Sequence, residues 1–468
     1  MFIVFEHRGL LMNYRFNLFL IACLFLHATV FAKENRPNII LIMADDMGYE
    51  ALSSNGSESC KSPNLDKLAE QGVRFTNCFS NPICTPSRAK IMTGQYNVRN
   101  YVKFGMLDRG QITFAHQLKA VGYATCIAGK WQLGNQPDSP QHFGFEKSCL
   151  WQHTRSGRSN ENGKRIDRRF VNPILEFNGK EKDYTNGEYG PKVCTDFICD
   201  FIEENKKNPF LVYFPMILTH CPFDPTPDSS DWDPKRLGST TYKGDKNDPQ
   251  RHFRDMVAYA DKMVGQIVKQ LEKSGVRDNT VLIFTGDNGT DKPIVTPWNG
   301  TEVVGGKGSM SDTGTRVPLI VNWPAGIKKP GRTTDELVEF TDMMPTLCEI
   351  SGASLPKNHP ADGASIVPVL SNKKNVRKKD WIYIWYRDQV MVRNKKYSLL
   401  AKHNGSNARL TRYKGQFDGK ELDNQKLTKA ENTIKKEFEG ILAEMAKTRL
   451  STASREGRAM GLKNKSNR

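Results

Sequence analysis

The sequence predicts an α/β fold: a large mixed, mostly parallel sheet flanked by helices, with a smaller C-terminal antiparallel sheet and helix. Three observations carry this. Continuous apolar runs rich in Ile and Val recur at Asn38–Ala44, Gly122–Ala128, Phe210–Met216 and Thr280–Thr285, the pattern of central strands covered on both faces. Each run leads into a polar segment: Asp45-Asp46, Gly129 to Gly134, His220-Cys221-Pro222 and Gly286 to Gly289. From Ser371 the pattern changes to short strands with tight turns, Trp381–Tyr386, Gln389–Arg393 and Lys396–Leu400, followed by a charged amphipathic helix over residues 427–450.

In chain order, the N-terminus comes first. From Met12, a second candidate start, Asn13-Tyr14-Arg15 makes a short basic region, residues 16–31 are strongly apolar, and Val30-Phe31-Ala32 has the small residues of a cleavage site. The polar stretch Lys33 to Arg36 follows at once, so the segment reads as a secretory signal peptide and not as a stable membrane span. Leu20 to Cys23 resembles a lipoprotein box, yet apolar residues continue past Cys23. Cleavage after Ala32 and a secreted or periplasmic location are expected, with lipoprotein anchoring at Cys23 the minor reading. The division that follows is residues 1–32 signal peptide, 33–370 catalytic domain and 371–468 basic C-terminal subdomain, whose tail from Ser451 is expected to be disordered.

In open α/β sheets ligands bind beyond the carboxyl ends of the strands. Asp45, Asp46, Asp287 and Asn288 are placed to converge there. Three clustered carboxylates repel one another without a cation, and an oxygen-only donor set suits calcium better than zinc. Taken singly, Asp-Asp also reads as a helix cap and Asp-Asn-Gly as a turn.

Between these motifs lies Cys84-Thr85-Pro86-Ser87-Arg88, running on to Gly94. A lone cysteine is more often a small buried hydrophobe than a catalyst. In this company the stretch resembles the maturation signature of the type I, formylglycine-dependent sulfatases, the arylsulfatase-like members of the alkaline phosphatase superfamily. The resemblance runs from about Pro37 through Asp342 to Gly352 and on to Asp362-Gly363.

It implies that Cys84 is oxidised to formylglycine by a maturation enzyme, and that Asp45, Asp46, Asp287, Asn288 and an oxygen of the converted Cys84 bind calcium. It further implies that Lys130 and Lys307 bind sulfate oxygens, that His220 assists the leaving alcohol, and that Arg88 holds the formylglycine turn. Arg316 reads as structural. The implied reaction is attack on sulfur by one oxygen of the hydrated aldehyde, after which the second hydroxyl expels sulfate. Two positions depart from the family pattern. Gln132 stands where many members carry histidine, and glutamine cannot shuttle a proton near neutral pH. Ser311 to Gly314 replaces an acidic residue followed by two glycines, a minor change.

Charge is uneven. After Ser371 there are 25 Lys plus Arg against 10 Asp plus Glu, so nearly all of the net +17 lies in the C-terminal part. This suits steering toward a sulfated polymer, and equally a solvated helix and tail. No nucleic-acid motif is present. Setting aside Cys23 and Cys84, the other eight of the ten cysteines permit disulfides but match no recognisable framework and no zinc site, and Cys126 reads as a buried thiol.

The leading function is therefore hydrolysis of sulfate monoesters, on a sulfated carbohydrate or an aryl sulfate. The alternatives are a phosphoester or phosphonate ester hydrolase of the same superfamily and a non-catalytic sulfated-glycan-binding relative. Trp151, His153 and Arg155, with Pro297-Trp298-Asn299, are the candidate specificity residues, and they serve equally well as loop packing.

Overall fold

The computed structural model describes residues 36–151, 154, 159–161, 164–240, 248–357, 360–373 and 379–450. The expected signal peptide with Cys23, His153, Arg155 and the tail from Ser451 lie outside the described residues.

The elements that build the main body are β1 (Asn38–Ala44), α1 (Pro63–Glu70), β2 (Val73–Phe79), α2 (Cys84–Thr93), α3 (Phe114–Ala120), β3 (Ala124–Gly129), β4 (Lys147–Trp151), β5 (Ile174–Phe177), β6 (Lys180–Asp183), α4 (Gly190–Asn205), β7 (Phe210–Pro215), α5 (Pro249–Lys273), β8 (Thr280–Gly286), β9 (Arg316–Asn322), β10 (Arg332–Glu339) and α6 (Met343–Ser351). Ten strands form one sheet in the order β10-β2-β9-β8-β1-β7-β3-β4-β5-β6. The middle five, β8 to β4, are parallel, and antiparallel pairings begin on either flank, at β9 and at β5.

The four apolar runs are four adjacent strands of this centre. Their continuity has a direct cause. Along β1, Ile40, Ile42 and Ala44 enter one core, while Ile39, Leu41 and Met43 enter the other. α1, α4 and α5 cover the first face and α2, α3 and α6 the second, so neither side of the strand meets water and neither tolerates a polar residue. Truncating Ile42, which has no exposed surface, to alanine would cost about 2–5 kcal/mol.

The C-terminal part is a five-stranded antiparallel sheet of β11 (Ile382–Tyr386), β12 (Gln389–Arg393), β13 (Tyr397–Lys402), β14 (Arg409–Arg412) and β15 (Lys420–Glu421), with α7 (Lys429–Lys447) packed on it. Here the period is two. Tyr383 and Trp385 face α7 together with Phe438 and Leu442, whereas Ile382 and Ile384 pack on Phe79 and Leu337 of the main body. Thr428 and Glu431 close a capping box that starts α7.

All nine cysteines among the described residues are free thiols. Cys149 Sγ lies 3.9 Å from Cys194 Sγ, and burial pushes the Cys126 thiol up, as its place in a core strand required. Among the described residues no helix is long and apolar enough to cross a membrane.

Candidate active site

The parallel strands end on one edge of the sheet, and each delivers its polar tail there. Backbone bonds extend the ladder past the strand ends: Asp287 N donates to Ala44 O (2.8 Å), Lys130 N to Pro215 O (2.8 Å) and Thr219 N to Asp45 O (2.7 Å). At Gly129 (φ +114°) a Cβ would lie 2.1 Å from Pro215 O, so only glycine lets β3 run this close before Lys130. Asp46 takes a left-handed φ of 60°, a conformation in which Asp is enriched among non-glycine residues, and its amide donates to Asp287 Oδ1 at 3.0 Å.

Cys84 is the first residue of α2. The helix tolerates Pro86 because its first turn needs no backbone donors, and it stops at Gly94, whose φ is 66°. Cys84 Sγ stands 3.2 Å from Asp45 Oδ1, 3.8 Å from Asp46 Oδ1 and 3.5 Å from Lys130 Nζ. One turn along, Arg88 donates from Nη1 to Lys130 O (2.8 Å) and from Nη2 to Asp287 Oδ2 (3.0 Å). Lys130 Nζ pairs with Asp45 Oδ2 at 2.6 Å, and Lys307 Nζ pairs with Asp46 Oδ2. His220 Nε2 lies 3.7 Å from the same Asp46 oxygen.

Every group here is nearly dry, so its charge depends on its neighbours. Burial alone would raise Asp45, but Lys130, His220, Arg88 and Lys307 hold it well below the usual carboxylate range. Asp46 is raised by burial, with Lys307 opposing and Asp45 adding to the rise. Asp287 is pushed up to about 7 by burial and by the Asp45 charge, against Arg88. Burial, reinforced by Asp287 and Asp45, pushes the Cys84 thiol up. Burial, then Lys130 and Lys307, lowers His220.

Burial thus leaves two of the three carboxylates raised in spite of the local cations. Asn288 adds a buried Oδ1 with no hydrogen-bond partner among the described residues, while its Nδ2 donates to Asp46 Oδ1 at 2.8 Å. Donor atoms of Asp45, Asp46, Cys84 and His220 lie within 4.8 Å of one another. An orphaned amide oxygen beside two carboxylates that burial disfavours as anions fits a hard divalent cation, which would favour their charged form.

The strand tails pointed to Asp45, Asp46, Asp287 and Asn288 at one edge, the resemblance added Cys84, Arg88, Lys130, His220 and Lys307, and the structure brings these side chains together. Gln132 follows Lys130 by two residues, with φ 55° and a buried Oε1 that has no partner among the described residues. Sequence reasoning missed Asp167 and Arg169. Arg169 is clamped by Asp167 (2.8 and 2.7 Å), lies over the Trp151 ring at 4.2 Å and reaches His220 Nδ1 at 2.8 Å. No local signal marks it, because its partner is 51 residues away in sequence.

The loop-packing reading holds for Trp298. It is buried against Tyr49 and Val303 and donates to Asn55 O at 2.7 Å. Arg316 is structural, as expected: it binds Asp312 (3.0 Å) and Asn77 Oδ1 (2.8 Å).

The sulfatase family model matches residues 37–353, and the model for the C-terminal part of N-sulphoglucosamine sulphohydrolase matches residues 305–448. Arylsulfatase A of Bos taurus is 31% identical over 406 residues, covering 78% of this chain and 75% of that protein. A sulfatase of Formosa agariphila is 29% identical over 457 residues, covering 80% and 79%. Among solved structures, Ps i-CgsB in complex with k-i-k-neocarrahexaose superposes with a TM-score of 0.73 at 25% identity, covering 89% of this chain and 94% of that one. The phosphonate monoester hydrolase of Agrobacterium radiobacter shares the fold, with a TM-score of 0.66 at 19% identity over 89% of this chain and 96% of that one. Fold and site define a hydrolytic enzyme with a buried, charged site on the edge of a parallel sheet. The chain belongs to the sulfatase family and is a sulfatase, an enzyme that hydrolyses sulfate esters.

Proposed function

We propose that the protein cleaves sulfate monoesters of carbohydrates, using a formylglycine made from Cys84 by a maturation enzyme and a calcium ion held by Asp45, Asp46, Asp287, Asn288 and the converted residue 84. The observation that carries the proposal is the convergence of Cys84, three carboxylates, two lysines and a histidine on one buried edge. The aldehyde hydrate supplies the oxygen that attacks sulfur, and the cation offsets negative charge beside it.

The chain's own residues do the rest. Lys130 and Lys307, now paired with Asp45 and Asp46, would turn to sulfate oxygens once a cation takes those carboxylates, and stabilise the charge that shifts as the S–O bond breaks. His220 presents Nε2 to the site and donates to the departing alcohol oxygen, with Arg169 behind its other nitrogen. Arg88 ties α2 to Asp287 and to the Lys130 backbone, which fixes residue 84 over the carboxylates. Gln132 lacks a titratable group and is assigned a positioning hydrogen bond. The chemistry belongs to residues 33–370, and the basic 371–468 segment, on an exported protein, would attract an anionic polymer.

Cys84→Ser tests this reading. The substitution preserves shape and cannot be matured in an ordinary aerobic host. Loss of all turnover on 4-nitrophenyl sulfate with an unchanged melting temperature is expected, together with an aldehyde mass on the Cys84 peptide of the natural protein. Multiple turnovers by the serine variant would sink it. Parallel assays on a phosphonate monoester separate the alternative activity.

A further inference from the structure

A cavity of about 480 Å³ lies between the main body and the C-terminal sheet. Its near wall is the strap Ser309 to Thr313, and its far wall is β12, β13, β14 and the segment after them. We infer that this cavity binds a neutral, hydroxyl-rich pyranose of the same chain whose sulfated unit occupies the active site, so that the substrate is a sulfated oligosaccharide of two or more units. The inference deepens the function proposed above and rests on it.

Position is the first argument. Ser309 follows Lys307 by two residues, so their Cα atoms are within about 8 Å. Lys307 is also the most accessible of the charged groups in the site, with 11% of its side chain exposed against 9% or less for Lys130, Arg88 and His220. The loop that walls the cavity thus begins beside the most accessible cation of the site.

Lining chemistry is the second. Met391, Leu400 and Phe417 give the cavity apolar surface suited to the C–H face of a sugar ring, while Gln389, Ser398 and Thr411 bring amide and hydroxyl groups suited to its edge. A volume of this size is in the range of small-ligand sites, which favour the junction between domains.

Charge is the third, and it selects a neutral unit. Among the charged groups that line the cavity, Arg409 is the one cation and pairs with Glu421 at 3.2 Å, while Asp312 is held by Arg316 at 3.0 Å and by Arg393. A second sulfate here would need a cation taken from an existing pair. A hydroxyl-rich ring needs none. The floor is also rigid, because Asp312 is fixed by both arginines and Tyr413 lies over Arg393 at 3.7 Å, the kind of support that a preorganised site requires.

The test is a filled cavity. Thr411→Trp, on a strand that contributes nothing to the catalytic edge, is assayed in the matured full-length protein on 4-nitrophenyl sulfate and on size-fractionated sulfated oligosaccharides of two to six units. The expected result is an unchanged kcat/KM on the aryl sulfate and at least a tenfold rise in KM on oligosaccharides the natural protein cleaves. Gln389→Ala, a smaller change, is expected to shift the same KM in the same direction by about threefold. Equal kinetics of both variants and the parent on every oligosaccharide would overturn the cavity's role. Natural protein that turns over a sulfated monosaccharide as well as any longer chain would overturn it too. Inactivity of the natural protein on all sulfate esters, the aryl one included, would instead remove the function on which it rests.

Discussion

Two buried ionic clusters come within five residues of each other in sequence, at Lys307 and Asp312, and behave in opposite ways. Around Asp45, Asp46 and Asp287 three carboxylates meet Lys130, Lys307 and Arg88, yet burial leaves Asp46 and Asp287 raised, and Asn288 Oδ1 has no partner among the described residues. Around Asp312 one carboxylate meets two arginines. Burial would raise Asp312, yet Arg393 and Arg316 lower it, and the group is closed on itself between the main body and the C-terminal sheet. In the first cluster the raised acids and the orphaned amide oxygen leave a remainder for a cation, and in the second the one acid is held charged. A buried charge constellation points to function when its acids are left raised, and to architecture when its neighbours hold them charged.

The comparison breaks most decisively if the first cluster needs nothing. Chelation of the matured enzyme with EGTA should abolish turnover, and calcium should restore it together with a rise in melting temperature. At about 100 times Kd the bound ion stabilises by about 2.7 kcal/mol. Turnover that persists after exhaustive chelation would show that the remainder is not filled by a metal.

Next in size is Asp312→Ala. It strands two buried arginines, and urea denaturation should report a loss of about 3–5 kcal/mol. Asp46→Asn in the metal-free protein is the counterpart. Because burial and Asp45 already disfavour the ionised Asp46, the change in unfolding free energy should stay below about 1 kcal/mol, while the calcium-dependent rise in melting temperature disappears. A large loss in the metal-free state would mean the two clusters are alike.

Acid sharpens the contrast further. The folded pKa of Asp312 is depressed, so its stabilisation is present above the unfolded carboxyl value, about 3.9, and is lost as pH falls through the folded pKa. Asp312→Asn should be less stable than the natural protein at neutral pH, with the gap narrowing below about pH 4. Thermal melts across that range check the slope.

The smallest effect is assigned to Gln132. Its side-chain oxygen has no partner among the described residues, so Gln132→Ala should lower kcat by less than about 10²-fold, the low end of a general-base contribution. A stoichiometric burst of released alcohol followed by arrest in the natural enzyme would show that the missing imidazole is not replaced.

How far the sequence carried these conclusions depends on burial on both faces. The central strands β1, β3, β7 and β8 were legible because two cores meet along them, and their tails named most of the site. β6, with every residue exposed, and the partly exposed β14 carry no such pattern. Arg169 was hidden for a different reason. Its role comes from Asp167, Trp151 and His220 meeting in space, and nothing in a pair of adjacent arginines encodes that. Asp312 looked like a minor departure and proved to be the junction of the two parts, since its partner Arg393 lies 81 residues on.

Cys84 is only 2% exposed, and Asp45, Asp46 and Lys130 close on its sulfur, with Asp287 held beside them by Arg88. A second protein's active site could not close on a sulfur this buried without displacing the residues around it. On the reading proposed above, the modification must therefore come first, on a chain still extended, and folding acts as a deadline. A molecule that folds early is sealed with its thiol intact, correctly shaped and permanently inactive, so the active fraction of any preparation would record a race between two rates rather than the quality of the fold.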